Sequence, residues 1–225
     1  ADMAKTVPLQ EALAFCFAAQ RINNGYLKNT QRYSEDTPTK HSNKDMVKQH
    51  FGDYSDPDFV DFTVTEDDYE GVEIANKHFR RYTMQLLGNN MSDFQKDVFA
   101  ILNLKDVPFN KLGLLAYVPE LVKREVEESK FKKLLRMEYR NSQHIGKVKD
   151  PVEGVIKVLN KFWSEQWESF NYVADLNGDL VSFMNKVDYK IGDRKKIKAK
   201  VKDHTKNRNF DVNETRLNYS KLYKV

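Results

Sequence analysis

The stretch GDRKKIKAKVKDHTKN, residues 192–207, sets Lys196, Lys198, Lys200 and Lys202 at every second position, with Ile197, Ala199 and Val201 between them. On a β-strand successive side chains alternate between faces, so this spacing lines four ammonium groups along one face and an apolar row along the other. Two chemistries fit the pattern. Lysines on an exposed strand keep sheet edges from pairing with other chains, and a row of cations also forms a track for a phosphate backbone. The company the row keeps favours the second: Arg194, Lys195, Lys206, Arg208 and Arg216 lie beside it or just beyond. Of the chain's 37 Lys and Arg and 33 Asp and Glu, residues 151–225 hold 15 and 10, net +5, leaving 22 and 23, net −1, for residues 1–150. Between Asp193 and Arg208 there are eight basic residues and two acids, an excess local enough to act as a binding surface.

Single-strand recognition also needs aromatic platforms, worth ~1–3 kcal/mol per stacked base. Phe162, Trp163, Trp167, Phe170, Tyr172 and Phe183 are the available side chains in the strands that precede the lysine row, and some of them must be core. Period two places Trp167 on the face opposite Phe170 and Tyr172, so one set faces inward and the other outward; the sequence does not choose between them. Trp163 and Trp167 flank a polar Ser-Glu-Gln break where a loop lip would present them, and these two are favoured. The expected nucleic-acid-binding set is Trp163, Trp167, Phe170, Tyr172, Arg194, Lys196, Lys198, Lys200, Lys202, Arg208 and Arg216.

Other chemistry finds less support. Asp53, Asp56, Asp58, Asp61, Glu66, Asp67, Asp68 and Glu70 crowd the stretch GDYSDPDFVDFTVTEDDYE. Metal-dependent nucleases use such carboxylates, but a turn and the first turn of a helix, where acids complement the macrodipole, explain them better. His204 stands alone, and a hydrogen bond that holds a turn accounts for it. Cys16 is the single cysteine and lies in an apolar run, which fits packing and excludes a disulfide framework. There is no Gly-rich phosphate loop, nucleophile elbow or paired His and Cys spacing. The chain is read as a binding protein and not an enzyme, with no metal or cofactor expected.

Two textures must position these residues. The first 140 residues read as helices: about Pro8 to Ile22 with Thr6 as cap, Ser42 or Asn43 to Phe51, Thr65 to Leu87 with Gly88 as C-cap, Ser92 to Leu102, Asn110 to Tyr117, and a long amphipathic helix from Pro119. Leu121, Val122, Val126, Phe131, Leu134 and Leu135 form its expected inner face. Residues 141–225 read as five strands, with Asn177-Gly178 as a hairpin turn and no long helix among them. The expected fold class is α+β: an N-terminal α-helical region, residues 1–140, followed by a C-terminal five-stranded OB-like β-barrel, residues 141–225. In that fold the face of strands 2 and 3 and the flanking loops bind oligonucleotides.

The closing segment, with Gly192-Asp193, Val201-Lys202-Asp203-His204 and Thr215-Arg216-Leu217-Asn218, resembles a family of bacteriophage single-stranded-DNA-binding proteins. HIGKV at 144–148, FWSEQWESF and FNKLGLLAYVPELVKRE resemble it too, and the loop NRNFDVN departs from it by being longer and more basic. The resemblance implies an OB-like barrel behind a helical region. It also implies binding of single-stranded DNA with little sequence preference, in support of replication, recombination or transcription in the cytoplasm of the infected bacterial host. The helical region would dock on a partner such as a phage polymerase, or self-associate. The alternative is a phage transcription or replication accessory subunit that recruits a polymerase to DNA, and a third reading is a virion protein with the barrel as a packing module. The apolar run VPLQEALAFCFAAQRI is too short to span a bilayer and contains Gln10 and Glu11, so no membrane partner is expected.

Overall fold

The computed structural model describes residues 5–32, 36, 38–52, 56–81 and 91–225. The chain divides into two compact units, Ala1–Glu125 and Val126–Val225.

In the first unit, Thr6 does not cap a helix. It begins a short strand, β1 (Thr6–Pro8), that pairs antiparallel with β2 (Asp106–Pro108). Pro8 holds the chain extended, and helix α1 (Leu9–Asn23) starts immediately after it, with the Leu9 N–H donated to the Lys105 carbonyl at 2.9 Å. The small residues Ala12, Ala14, Ala18 and Ala19 are all buried along α1, so neighbouring helices approach closely. One is α3 (Glu66–Arg80), where a Cβ on Gly71 would lie 2.6 Å from the Phe17 ring. Cys16 is fully buried in this core, and burial pushes its thiol pKa far up.

Side chains close the helix starts as the sequence predicts. Ser42 accepts the Asp45 N–H at the head of α2 (Asn43–Phe51), and Asp68 accepts the Thr65 N–H at the head of α3. Ser92 and Gln95 cap each other reciprocally at α4 (Asp93–Leu102). The expected extension of α3 to Leu87, with Gly88 as its cap, lies outside the described residues. A 3₁₀ turn (Phe109–Lys111) and α5 (Leu112–Leu115) lead into α6 (Val118–Glu138). Two acids of the 52–70 stretch have local partners: Asp56 accepts from Arg32 at 2.5 Å and lies 3.0 Å from His41, and Asp61 lies 2.7 Å from His50.

The second unit contains a closed five-stranded barrel: β3 (Pro151–Ser164), β4 (Ser169–Leu176), β5 (Asp179–Asn185), β6 (Arg194–Lys206) and β7 (Asn213–Tyr223). The strand order is β3-β4-β5-β7-β6, closing back on β3, and every pair is antiparallel except β5 with β7. The molecule is thus α+β with an OB-like barrel. Strand β3 serves two neighbours, pairing with β6 through residues 151–157 and with β4 through 156–164; a bulge between Val158 and Asn160 makes the corner. Asn177 (φ 54°) and Gly178 (φ 90°) are both left-handed, as a two-residue hairpin turn demands.

The barrel interior is filled by Val152, Ile156, Val158, Tyr172, Ala174, Leu176, Val181, Phe183, Ile197, Ala199, Val201 and Leu217. A second apolar cluster lies outside the barrel wall: Phe131, Leu135 and Tyr139 pack on Val173, Leu180 and Val212. The last part of α6 therefore belongs to the barrel unit, upstream of the division at 140 and 141 that strand content suggested.

Candidate nucleic-acid interface

The lysine row is real in three dimensions. Along β6, Lys196, Lys198, Lys200 and Lys202 are exposed while Ile197, Ala199 and Val201 are buried. Arg194 extends the row at its start. Among the described residues only Lys198 of the four has an ion-pair partner, Glu153 at 3.8 Å, and both side chains are more than 60% exposed (63% and 68%). So open a pair contributes at most ~1 kcal/mol and gives way readily to another anion.

Register places neighbours on each side of the row. Val155, Lys196 and Tyr223 lie across from one another on β3, β6 and β7; the next tier is Glu153, Lys198 and Lys221, and the next Pro151, Lys200 and Asn218. The Lys198 ammonium lies 6.0 Å from the Tyr223 ring centroid. A bulge in β7 opposite Lys198 and Lys200 puts Tyr219 in a left-handed conformation (φ 52°) and leaves it 79% exposed. The wall formed by β3, β6 and β7 thus interleaves cations with two exposed tyrosines.

Tyr219 and Tyr223 were not among the residues singled out from the sequence. The signal was present in NYSKLYKV, where Tyr219, Lys221 and Tyr223 alternate like the lysines of β6.

The other expected residues fall elsewhere. Tyr172 is fully buried; its hydroxyl donates to the Val187 carbonyl (2.5 Å) and accepts from the Tyr189 N–H (2.7 Å). It is core and offers no face to a base. Phe170 is partly buried against the same core, with Trp163 edge-on to it at 4.8 Å. Trp163 and Trp167 are 49% and 63% exposed, Trp167 in the turn between β3 and β4, so the expected lip exists. Arg208, in the β6–β7 loop, sits over Phe162 at 5.7 Å. Arg216 does not stand free: it donates twice to Asp203, at 2.5 and 2.6 Å. That pairing holds the Asp203 carboxyl below the usual carboxylate range and raises Arg216. A bulge at Lys202, between Val201 and Asp203, aligns the two residues. His204 Nε2 donates to the Ile145 carbonyl at 3.1 Å, and its ring stacks on His144 at 4.6 Å.

The lysine row and the tryptophan lip do not coincide. From Lys157, opposite Arg194, to Phe162 is five residues of β3, roughly 16 Å along the strand. In OB barrels oligonucleotides are bound on strands 2 and 3, here β4 and β5, but in this protein Val173 and Leu180 of that face are covered by Phe131 and Leu135 of α6. The open cationic wall is on the other side of β3. Among the described residues no group of three His, Cys, Asp or Glu side chains is placed to hold a metal ion, and no helix is long and apolar enough to cross a membrane. No family model, no curated protein and no solved structure matches the chain, so the site is read from its own geometry.

Proposed function

We propose that this protein binds single-stranded DNA with little sequence preference, along the outer wall formed by β3, β6 and β7. The observation that carries the reading is the row Arg194, Lys196, Lys198, Lys200 and Lys202, exposed along one strand face with a single loose carboxylate partner among the described residues. Side chains on one face of a strand recur every two residues, about 6.7 Å apart, a step comparable with that between phosphates of an extended single strand. Duplex phosphates wind away from so straight a row. Tyr219 and Tyr223 supply the stacking surfaces that sequence-tolerant binding uses.

The resemblance of the closing segment to phage single-stranded-DNA-binding proteins supports the same reading. It carries with it a role in phage replication, recombination or transcription in the host cytoplasm. Fluorescence anisotropy of the full chain with a labelled 20-nucleotide single strand and with the matching duplex, across a salt series, tests it. Preferred binding of the single strand, weakening steeply with salt, is the expected outcome. Equal or absent binding of both overturns it and moves the lysine row to the role of a solvated edge, leaving recruitment of a polymerase as the function to test.

A further inference from the structure

The cationic wall is not uniform. Between the tiers of Lys196 and Lys198 lies a shallow depression of about 570 Å³, lined by Glu153, Val155, Lys196, Lys198 and Tyr223. Its lining adds an aromatic ring, an apolar side chain and a carboxylate to the two lysines, a mixture that suits a base flanked by phosphates. Tyr223, 45% exposed, offers a ring face, and Val155, 37% exposed, offers an apolar flank. Lys196 and Lys198 stand on the adjoining strand, spaced to meet the phosphates on either side of one nucleotide. Glu153 is the anomaly: its only ion-pair partner among the described residues is Lys198, loosely held at 3.8 Å, and once that lysine turns to a phosphate the carboxylate repels the ligand unless the ligand brings a donor to it.

An ionised carboxylate only accepts hydrogen bonds. A base that stacks on Tyr223 with its pairing edge toward Glu153 is therefore sorted by its donors. Guanine presents two adjacent N–H donors, matching the two carboxylate oxygens; cytosine and adenine present one amino group each. Thymine presents a single N–H flanked by two carbonyls, which the carboxylate repels. Building on the single-strand reading above, we infer that the Tyr223 depression is a base-selective subsite in which Glu153 favours guanine and disfavours thymine at one position of an otherwise sequence-tolerant track.

The test compares the full chain's affinity for an all-thymidine 12-mer with that for the same oligomer carrying one central guanosine, for the natural protein and for Glu153→Gln and Tyr223→Ala. Good bidentate pairing to a base edge discriminates by ~1–3 kcal/mol. At so exposed a site the lower end applies, so the single guanosine is expected to tighten binding by about 5- to 10-fold. Glu153→Gln, whose amide both donates and accepts, is expected to bring the two oligomers to within about twofold of each other, chiefly by improving thymidine binding. Tyr223→Ala is expected to abolish the difference while weakening both. Equal affinities for the two oligomers in the natural protein overturn the subsite and leave the lysine track standing. A guanosine preference that survives Glu153→Gln overturns the role of Glu153. Failure of both oligomers to bind overturns the track and the subsite together.

Discussion

Exchanging Lys198 and Lys200 for glutamine removes two neighbouring charges from the middle of the β6 row without touching the barrel core, since both side chains point to solvent while Ile197, Ala199 and Val201 fill the interior. If Arg194, the four lysines of the row and Lys221 each meet a phosphate, six contacts are made; at about −0.7 per contact for single strands, log K falls against log salt with a slope near −4. Removing two contacts makes the slope shallower by about 1.4. At 0.1 M salt this amounts to about 5-fold per lysine, or about 25-fold for the pair, equivalent to about 1.9 kcal/mol, and the two proteins converge toward 1 M. Anisotropy titrations at four or five salt concentrations read both quantities. The pair Lys130→Gln/Lys133→Gln, on exposed positions of α6, makes the same change in net charge and is expected to leave the slope unaltered. An unchanged slope in the β6 variant, or an equal loss in both variants, refutes the reasoning, because either result means that net charge and not the strand row attracts the ligand.

Three further outcomes follow from the packing. Tyr172→Phe leaves the Val187 carbonyl and the Tyr189 N–H without their shared hydroxyl and is expected to lower stability by about 1–3 kcal/mol in urea unfolding, with single-strand affinity unchanged; lost affinity at full stability would put Tyr172 back at the interface. Because Arg216 depresses the Asp203 carboxyl, the stability this pair contributes is present above the ordinary carboxylate range and is lost as pH falls through the lowered folded value. Urea midpoints of the natural protein and Asp203→Asn should differ at pH 7, by less than ~1 kcal/mol for so exposed a pair, and draw together toward pH 2; a gap that widens in acid contradicts the assignment. Cys16, fully buried with its thiol pushed far up, should resist iodoacetamide in the native protein at neutral pH and react only on unfolding, as mass spectrometry would show.

The parts of this molecule that were legible in the sequence are those fixed by local geometry. Alternation of Lys196 to Lys202 with Ile197 to Val201 survives folding because the period of two belongs to the strand itself. The Asn177-Gly178 turn and the caps at Ser42 and Ser92 are equally local. What could not be read depends on register and closure. The sequence offers no way to see that a bulge at Lys202 aligns Arg216 with Asp203 and takes that arginine off the track. Nor does it show that α6 lays Phe131 and Leu135 over Val173 and Leu180, closing part of the face on which an OB barrel would be expected to bind. Trp163 stands across from Phe170 beside the β3–β4 turn and stays half exposed, while Tyr172, two residues further along β4, lies in the barrel core; that difference follows from register and has no composition signal. Thr6 caps no helix because it belongs to a three-residue strand held by residues 106–108, about a hundred positions away, which no local signal reveals.

The most direct test of where single strands bind is a titration of ¹⁵N-labelled full chain with an unlabelled mixed-sequence 12-mer, followed by amide chemical shifts. The account predicts that shifts concentrate at Arg194 to Lys202 and Lys221 to Tyr223, with Val173 to Leu180 beneath α6 left in place. Shifts confined to Phe162 to Phe170 and Arg208, with the lysine strand silent, would contradict it.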